Sequence, residues 1–158
     1  MRWFLILGSV LVVGYLSLLA TLAAASRRPR PTPGLDHGRL RACPRSTNCA
    51  CSEDQGASGT AGLPFTGDPE QAMARLRRAV VATGGMIATS EDSSGDYLHA
   101  RYVSTFFGFI DDFEARLDRD ASTVHLRSQS RVGVADRGVN RRRLRSIRQA
   151  FVEELDRG

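Results

Sequence analysis

The residues best suited to chemistry are three cysteines that lie close together, between Arg41 and Glu53. Cys43, Cys49 and Cys51 are the only cysteines of the chain, and their spacing is C-x5-C-x-C. Structural zinc usually takes four ligands, with paired cysteines two to four residues apart, so this spacing fits zinc poorly. A cysteine nucleophile needs a base, and the sequence implies no nearby histidine. The pattern favours a disulfide, with zinc and a nucleophile as the alternatives.

A disulfide between Cys43 and Cys49 would close a short loop that its proline, serine and asparagine make turn-like. Such a bond typically contributes about 2–4 kcal/mol to stability. Cys51 would then be the odd thiol, because a bond between Cys49 and Cys51 would be strained by their closeness. Disulfides persist outside the cytoplasm, so this interpretation also places the domain there.

A second set of candidate residues lies on two predicted strands, residues 109–117 and 123–132. The turn-forming segment DRDAS between them predicts a hairpin. In that hairpin Asp111 faces Ser130 and lies beside Ser128, so an otherwise apolar face turns polar at this end. Because a bare buried charge is costly, Asp111 needs partners there. Ser130 or the backbone of the GVADRGVN loop could supply them, or Asp111 could be an acid, a base or a ligand-binding group in a polar pocket.

The opposite face of the same hairpin carries charged residues. Pairing Leu117 with Val124 places Glu114 across from Arg127, with Asp112 diagonal to Arg127. Cross-strand ion pairs of this kind contribute from a few tenths to about 1 kcal/mol. We therefore expect a polar strand face on this side of the sheet.

Arginine is concentrated at the start of the last predicted helix, in DRGVNRRRLRSIR, residues 136–148. Backbone N–H groups at a helix start, helped by Arg141, could hold an anion. The alternative is a solvated helix face. The formal net charge of +5 also suits an anionic lipid or nucleic acid. No nucleic-acid partner is expected, because the sequence shows neither interleaved aromatics nor a known binding motif.

Neither the histidines nor the glycines predict a metal or cofactor site. His99 and His125 fall on the polar strand face, where we expect exposed sheet residues, and no zinc-ligand spacing accompanies them. The sequence has no GxxxxGK phosphate loop and no GxGxxG motif. We therefore expect no metal and no cofactor.

These candidates must be positioned by elements that the sequence also predicts. Asp68 and Pro69 are typical of a helix start, and Gly84 of a helix end. The predicted elements are a helix from Asp68 to Gly84, strands over residues 86–90, 96–104, 109–117 and 123–132, and a helix from Asn140, as its cap, to Leu155. Strands bounded by helices predict an α+β domain, with an antiparallel sheet of about four strands and both helices on one face.

The chain begins with an apolar segment, Trp3 to Ala25, that carries no charge. As a helix it would reach roughly 34 Å, enough to cross a bilayer core. A signal peptide has an apolar region of about 7–15 residues, so this length favours a retained single-pass anchor. Small residues before Ser26 keep a cleaved signal peptide, and hence a secreted protein, as the alternative. The chain then divides into an anchor or signal segment, residues 1–26, a Pro/Arg-rich linker, residues 27–39, and a single domain, residues 40–158.

Two features of the sequence disagree about the orientation of that domain. Arg27, Arg28 and Arg30 follow the apolar segment and outnumber Arg2 before it, which favours a cytoplasmic domain. A disulfide in the domain would favour the extracytoplasmic side.

Four stretches of the chain resemble the motifs of one bacterial and plastid family. CPRSTNC is similar to C-P-x-S-P-N-C, FTGDP to a helix-opening segment, FFGFIDDFE to F-G-F-V-D-D-x-E, and HLRSQSRVGVADRGVNRRR to R-S-x-S-R-x-G-x-x-D-x-G-x-N-R-R-R. The chain thus resembles the family called domain of unknown function 1499, from about Leu40 to Leu155. The matching positions are Cys43, Cys49, Asp111, Asp112, Glu114, Arg127, Ser128, Ser130, Arg131, Gly133, Asp136, Gly138, Asn140 and Arg141.

The resemblance implies a small α+β domain behind an export signal or membrane anchor, which favours the extracytoplasmic side. It implies no activity. The chain departs from the family at Thr47, where proline is usual, and at Cys51, where serine is usual.

We interpret the chain as a membrane-anchored binding or accessory module of the cell envelope, whose polar corner accepts an anionic ligand, lipid or protein partner. The ligand-binding candidates are Asp111, Glu114, Arg127, Ser128, Ser130, Arg131, Asp136, Asn140 and Arg141. One alternative is a hydrolase-like envelope enzyme that uses Asp111 with Ser128 or Ser130. Another is a purely structural subunit of a membrane complex.

Overall fold

The computed structural model describes residues 2–27, 33–88, 95–105 and 107–154. Some predicted positions lie outside these ranges, namely the strand end at Ser90, the helix end at Leu155, Phe106 of the FFGFIDDFE stretch, and the arginines Arg28 and Arg30. The helices are α1 (Arg2–Arg27), α2 (Pro69–Ala82) and α3 (Val139–Glu153). The strands are β1 (Leu35–Asp36), β2 (Arg39–Leu40), β3 (Cys49–Cys51), β4 (Leu63–Pro64), β5 (Met86–Ile87), β6 (Tyr97–Val103), β7 (Ile110–Asp118) and β8 (Thr123–Ser130).

Six strands form one antiparallel sheet in the order β3-β8-β7-β6-β5, and β4 also pairs with β8. The β7–β8 hairpin has the predicted register: Leu117 pairs with Val124, and Asp111 pairs with Ser130. Strand β6 runs beside β7 over its whole length. The predicted α+β class is therefore confirmed, with a larger sheet than expected.

Helices α2 and α3 pack side by side on one face of the sheet, as predicted. Asp68 begins α2 by accepting a hydrogen bond from the Glu70 N–H, and Leu76 and Val80 of α2 are fully buried. From α3, Leu144 and Ile147 join the same core. Burial of each such side chain contributes about 1.5–3 kcal/mol to the free energy of folding, so the apolar contribution to stability comes mainly from this face.

The other face of the sheet is covered, which corrects the expectation of an exposed polar surface. The hairpin β1–β2 lies over it, and Leu40 packs there with Cys51 and Tyr97. His99 is buried on this face and not exposed as predicted, whereas His125 is half-buried. The charged side chains of β7 and β8 on this side are therefore interior groups that need internal partners.

Residues 40–62 carry more structure than their Gly, Ser and Thr content indicates. Strand β3 pairs with β8 through Cys49–Gln129 and Cys51–Arg127. A 3-10 turn at Gly56–Ser58 follows. Strand β3 and the two-residue strand β4, which also pairs with β8, bring the sheet to six strands where about four were predicted.

Helix α1 is the described helix that is long and apolar enough to cross a membrane, with a mean hydropathy of 2.3 over its best window. A signal sequence near the N-terminus has the same properties. The last turn of α1 contacts the domain, since Ser26 is fully buried and its Oγ accepts a hydrogen bond from the Ile110 N–H.

Candidate functional site

The polar end of the sheet is organised around Asn140, which is 1% exposed. Its amide nitrogen donates to the Asn48 carbonyl, to Ser130 Oγ and to Asp136 Oδ2, at 2.8–2.9 Å. Its amide oxygen accepts from Ser128 Oγ at 2.6 Å. A buried polar group needs such partners, and Asn140 has them on every side. Asn140 is thus an interior structural group and not the cap of α3.

Asp111 forms an ion pair with Arg143 of α3, at 2.6 Å between carboxylate and guanidinium. Neither Ser130 nor the loop backbone supplies this partner, which corrects the sequence-based expectation. Arg143 also stacks over the Tyr102 ring at 4.6 Å and donates to Ser128 Oγ. The charge of Asp111 is therefore compensated by a cation that packing holds in place.

Asp136 supplies the anion at the start of α3. Its carboxylate accepts from the backbone N–H groups of Gly138 and Asn140, both at 2.8 Å. Burial raises the pKa of Asp136, but these hydrogen bonds outweigh it and leave the pKa below its usual value. The backbone donors that sequence analysis assigned to an external anion are therefore used by the protein itself.

The second face of the sheet holds two buried ion pairs. Glu114, 1% exposed, pairs with Arg127 at 2.7 Å and accepts from the Tyr97 hydroxyl at 2.8 Å. Burial, followed by the Glu114 charge, raises the pKa of Tyr97. Asp112 binds Arg131 through two hydrogen bonds of 2.7 and 2.8 Å.

His99 Nε2 lies 2.8 Å from the same Asp112 carboxylate. Burial raises the pKa of Asp112, but Arg131 and His99 outweigh it and bring the pKa down to about 2. Glu114, Arg127 and Arg131 therefore lie on the opposite face from Asp111, Ser128 and Ser130. The candidate residues therefore do not form one corner: they divide between the two faces of the sheet, and Arg141 contacts the 3-10 turn instead.

A third carboxylate, Glu53, fastens the β1–β2 hairpin to this face. One of its oxygens accepts from Arg116 at 2.6 Å, and the other accepts from the Leu40 N–H at 2.5 Å. Arg39 lies 3.4 Å from it on the outer side. No pattern in the sequence points to Glu53, which follows the cysteines in a segment rich in Gly, Ser and Thr.

The predicted disulfide between Cys43 and Cys49 is confirmed, with their Cα atoms 5.7 Å apart. Cys51 is a free thiol and fully buried. Burial raises the pKa of Cys51, which disfavours the reactive thiolate. Within the described ranges, no group of three or more His, Cys, Asp or Glu side chains is arranged to hold a metal ion.

The disulfide loop forms one wall of an open cleft of about 450 Å³. The start of α3 and the 3-10 turn form the other walls. The lining residues are Cys43, Pro44, Arg45, Ser46, Thr47, Cys49, Ala57, Ser58, Asp136, Gly138 and Arg141. We call this space the disulfide-loop cleft.

Arg141 reaches across the floor of this cleft to the 3-10 turn. Its two terminal nitrogens donate to the backbone carbonyls of Gly59 and Ala57. A carbonyl accepts a hydrogen bond but carries no net charge, so this contact positions the guanidinium without neutralising it. Of the nine candidates, Asp136 and Arg141 are the two that line the disulfide-loop cleft.

Three residues that organise these networks were missed from sequence: Arg143, Asn48 and Glu53. Arg143 lies in the arginine run, and the sequence does not distinguish it from its solvated neighbours. The one available signal is its position three residues after Asn140, on the same helix face. Asn48 falls inside the cysteine motif, and its side chain donates to the Gly133 carbonyl at 2.7 Å.

The fold and the site together define a class: a small α+β domain with a disulfide, joined to an apolar helix of membrane-spanning length. Within that class, the family described as protein of unknown function (DUF1499) matches residues 39–151. This is well over half of the chain, so the chain belongs to the DUF1499 family, and the resemblance seen in the sequence is confirmed. No curated protein matches the chain.

Proposed function

We propose that this protein is a membrane-anchored binding module of the cell envelope, which takes a small anionic group in the disulfide-loop cleft. A phosphate, sulfate or carboxylate group of a ligand or partner has the required size and charge. The observation that carries the proposal is the position of two arginines on this cleft, Arg45 and Arg141, neither of which forms an ion pair among the described residues.

The charge balance of the cleft supports an anion. Asp136 is the carboxylate that lines it, and the N–H groups at the start of α3 already hold that carboxylate. Arg141 is fixed by two carbonyls and keeps its positive charge, while Arg45 is exposed at the rim. Ser46 and Ser58 also line the cleft, but their hydroxyl groups donate to the Asn48 side-chain oxygen and to the Asp54 carboxylate, so the two arginines are the groups that would bind the anion.

Two of the four stretches that carry the family resemblance meet at this cleft. Cys43 to Cys49 forms one wall, and the segment from Asp136 to Arg141 forms the other. The bridge between Thr47 and Ala135 joins the two segments directly. Binding of an anion in this cleft would give both stretches the same role.

The disulfide and α1 together support the proposed envelope location. Disulfides persist in oxidising compartments, which favours an extracytoplasmic domain over the orientation indicated by the arginines after α1. A retained α1 would hold the cleft close to the outer surface of that membrane.

The alternative of an acid–base enzyme at Asp111 has less support. A catalytic carboxylate would lie in a closed pocket with its proton affinity shifted for the reaction. Asp111 instead pairs with Arg143 and borders an open cleft of about 260 Å³. This arrangement favours a structural role for Asp111.

Calorimetric titration of the full chain in detergent micelles with inorganic phosphate tests the proposal. Arg45→Gln removes an exposed charge from the cleft, and we expect phosphate affinity to fall about tenfold, the loss typical of one charge-assisted contact. Arg141→Gln should weaken binding at least as much. Arg145→Gln, on the exposed side of α3, is the matched control and should bind like the wild type. Equal phosphate affinity in the wild type, Arg45→Gln and Arg141→Gln would overturn the proposal.

A further inference from the structure

We propose that the end of the domain next to α1 rests on the membrane itself, with Phe107 and Val134 in the interfacial layer of the bilayer. The occupant of this surface is phospholipid from the membrane that α1 crosses. The inference rests on α1 being a retained anchor, as proposed above, and it does not require an anion to bind in the disulfide-loop cleft.

The last turn of α1 fixes the depth of this end of the domain. Trp3 to Ala25 spans roughly 34 Å as a helix, slightly more than a hydrocarbon core of about 30 Å. Ser26 and Arg27 therefore fall at the level of the lipid headgroups. Arginine is well suited to that level, because its stem can lie along apolar surface while its charge meets phosphate.

Direct contacts bring the sheet to the same level. Ser26 Oγ accepts from the Ile110 N–H at 3.2 Å, and its carbonyl accepts from Arg131 at 3.3 Å. The Arg27 guanidinium lies directly against Gly108, where a side chain would have to displace the end of this arginine. Gly108 also has a φ of +66°, which glycine adopts without strain.

Two loops leave the sheet at this edge. In the antiparallel sheet, the end of β6, the start of β7 and the end of β8 lie together, and residues 104–109 and 131–138 follow them. Each loop exposes a large apolar side chain: Phe107 is 44% exposed and Val134 is 77% exposed. Val139 at the start of α3 is 39% exposed beside them. Such side chains gain free energy by leaving water for the membrane interface.

A cleft of about 260 Å³ separates α1 from these loops. Leu22 of α1 forms one wall, and Phe109, Val132 and Val139 form the other. Leu22 lies one turn before Ser26, at the boundary of the hydrocarbon core, so the cleft continues the apolar layer into the domain. The apolar walls suit the upper part of an acyl chain. Asp111 and Asp136 also line the cleft, but their charges are already held by Arg143 and by the backbone N–H groups at the start of α3.

Fluorescence quenching in proteoliposomes tests the inference. The full chain carries one tryptophan, so Trp3→Phe gives a dark background. Tryptophan is then placed at Val134, at Phe107 or, as the matched control, at Ala121 in the β7–β8 turn. Strand β7 has nine residues, so this turn lies about 30 Å from the α1 end. The vesicles contain phosphatidylcholine and phosphatidylglycerol, with lipid brominated near the headgroup as the quencher.

We expect Val134→Trp to lose at least half of its fluorescence in brominated vesicles and Ala121→Trp to lose almost none. Phe107→Trp should behave like Val134→Trp, and it decides the matter if the first variant is poorly folded. Equal quenching at Val134 and Ala121 would overturn the inference. Phosphate titration of the same variants distinguishes the two proposals. Quenching without phosphate binding would support only the membrane contact, and phosphate binding without quenching would support only the anion site.

Discussion

Asp112 stays ionised in the protein interior because Arg131 and His99 hold its carboxylate. Burial alone would raise its pKa, but the hydrogen bonds and charges of Arg131 and His99 bring that pKa to about 2. This lies below the value near 4 of an aspartate in an unfolded chain. The stabilisation is therefore present in full above about pH 4 and is lost as the pH falls from 4 to 2.

We expect the free energy of unfolding to drop by about 2 kcal/mol between pH 4 and pH 2 through this one group. In Asp112→Asn the drop should be smaller by that amount, although the variant is less stable at pH 7 because Arg131 loses its charged partner. Urea unfolding at several pH values measures both effects. Asp120→Asn, in the exposed β7–β8 turn, is the control. An acid dependence in Asp112→Asn as steep as that of the wild type would contradict the prediction.

Sequence reasoning at the residue scale identified which groups share a face but not which groups bind each other. The period of two along β7 and β8 places Asp111 beside Ser130 and Glu114 beside Arg127, and both pairings are observed. The partner of Asp111 is Arg143, which comes from a helix. Its reach depends on how α3 packs on the sheet, and no local pattern encodes that packing.

The disulfide loop is the element that shapes the proposed binding cleft. Cys43 and Cys49 close a loop of about six residues, and the loop-entropy relation gives roughly 2 kcal/mol for a loop of that size. We expect the double variant Cys43→Ser, Cys49→Ser to lose about that much stability. Its affinity for inorganic phosphate should fall as well, because Arg45 then samples more conformations.

Denaturant unfolding and phosphate titration measure these two losses separately. Cys51→Ala is the matched control, since it removes a thiol and keeps the disulfide. It should bind phosphate like the wild type. Unchanged phosphate affinity in the double variant would show that the loop does not shape the site.

Long elements were predictable from sequence, and short ones were not. Strands β6, β7 and β8 were predicted nearly to the residue, because alternation over seven to nine positions is a strong signal. Strand β3 has three residues, Cys-Ala-Cys, with no side-chain pattern. It forms because the edge of β8 has unpaired backbone hydrogen-bonding groups. The hairpin β1–β2 forms because it shields the charged side chains of the sheet from water. Both causes are tertiary.

The whole molecule buries the two faces of its sheet by different means. One face meets α2 and α3 through an apolar core, and the other meets a short hairpin through ion pairs and one tyrosine. Alternating charges normally indicate a solvent face, so the sequence predicted an exposed surface there. The buried ion pairs add less stability than an apolar core would, but each loses several kcal/mol if one partner is removed. This face therefore tolerates few changes.

The orientation of the whole chain can be decided from the oxidation state of its cysteines. The disulfide requires an oxidising compartment, whereas the arginines after α1 favour a cytoplasmic domain. The disulfide is a specific covalent bond between Cys43 and Cys49, while the charge rule is a statistical bias, so we expect the domain outside the cytoplasm. Acid is added to isolated membranes to stop thiol–disulfide exchange. The protein is then denatured, and its free thiols are counted with a bulky maleimide before and after reduction. One thiol should react before reduction, Cys51, and three after it. Cys51→Ala, the control, should give no reactive thiol before reduction and two after it.

Three reactive thiols in the wild type before reduction would place the domain in the cytoplasm, and α1 would then orient as its flanking arginines indicate.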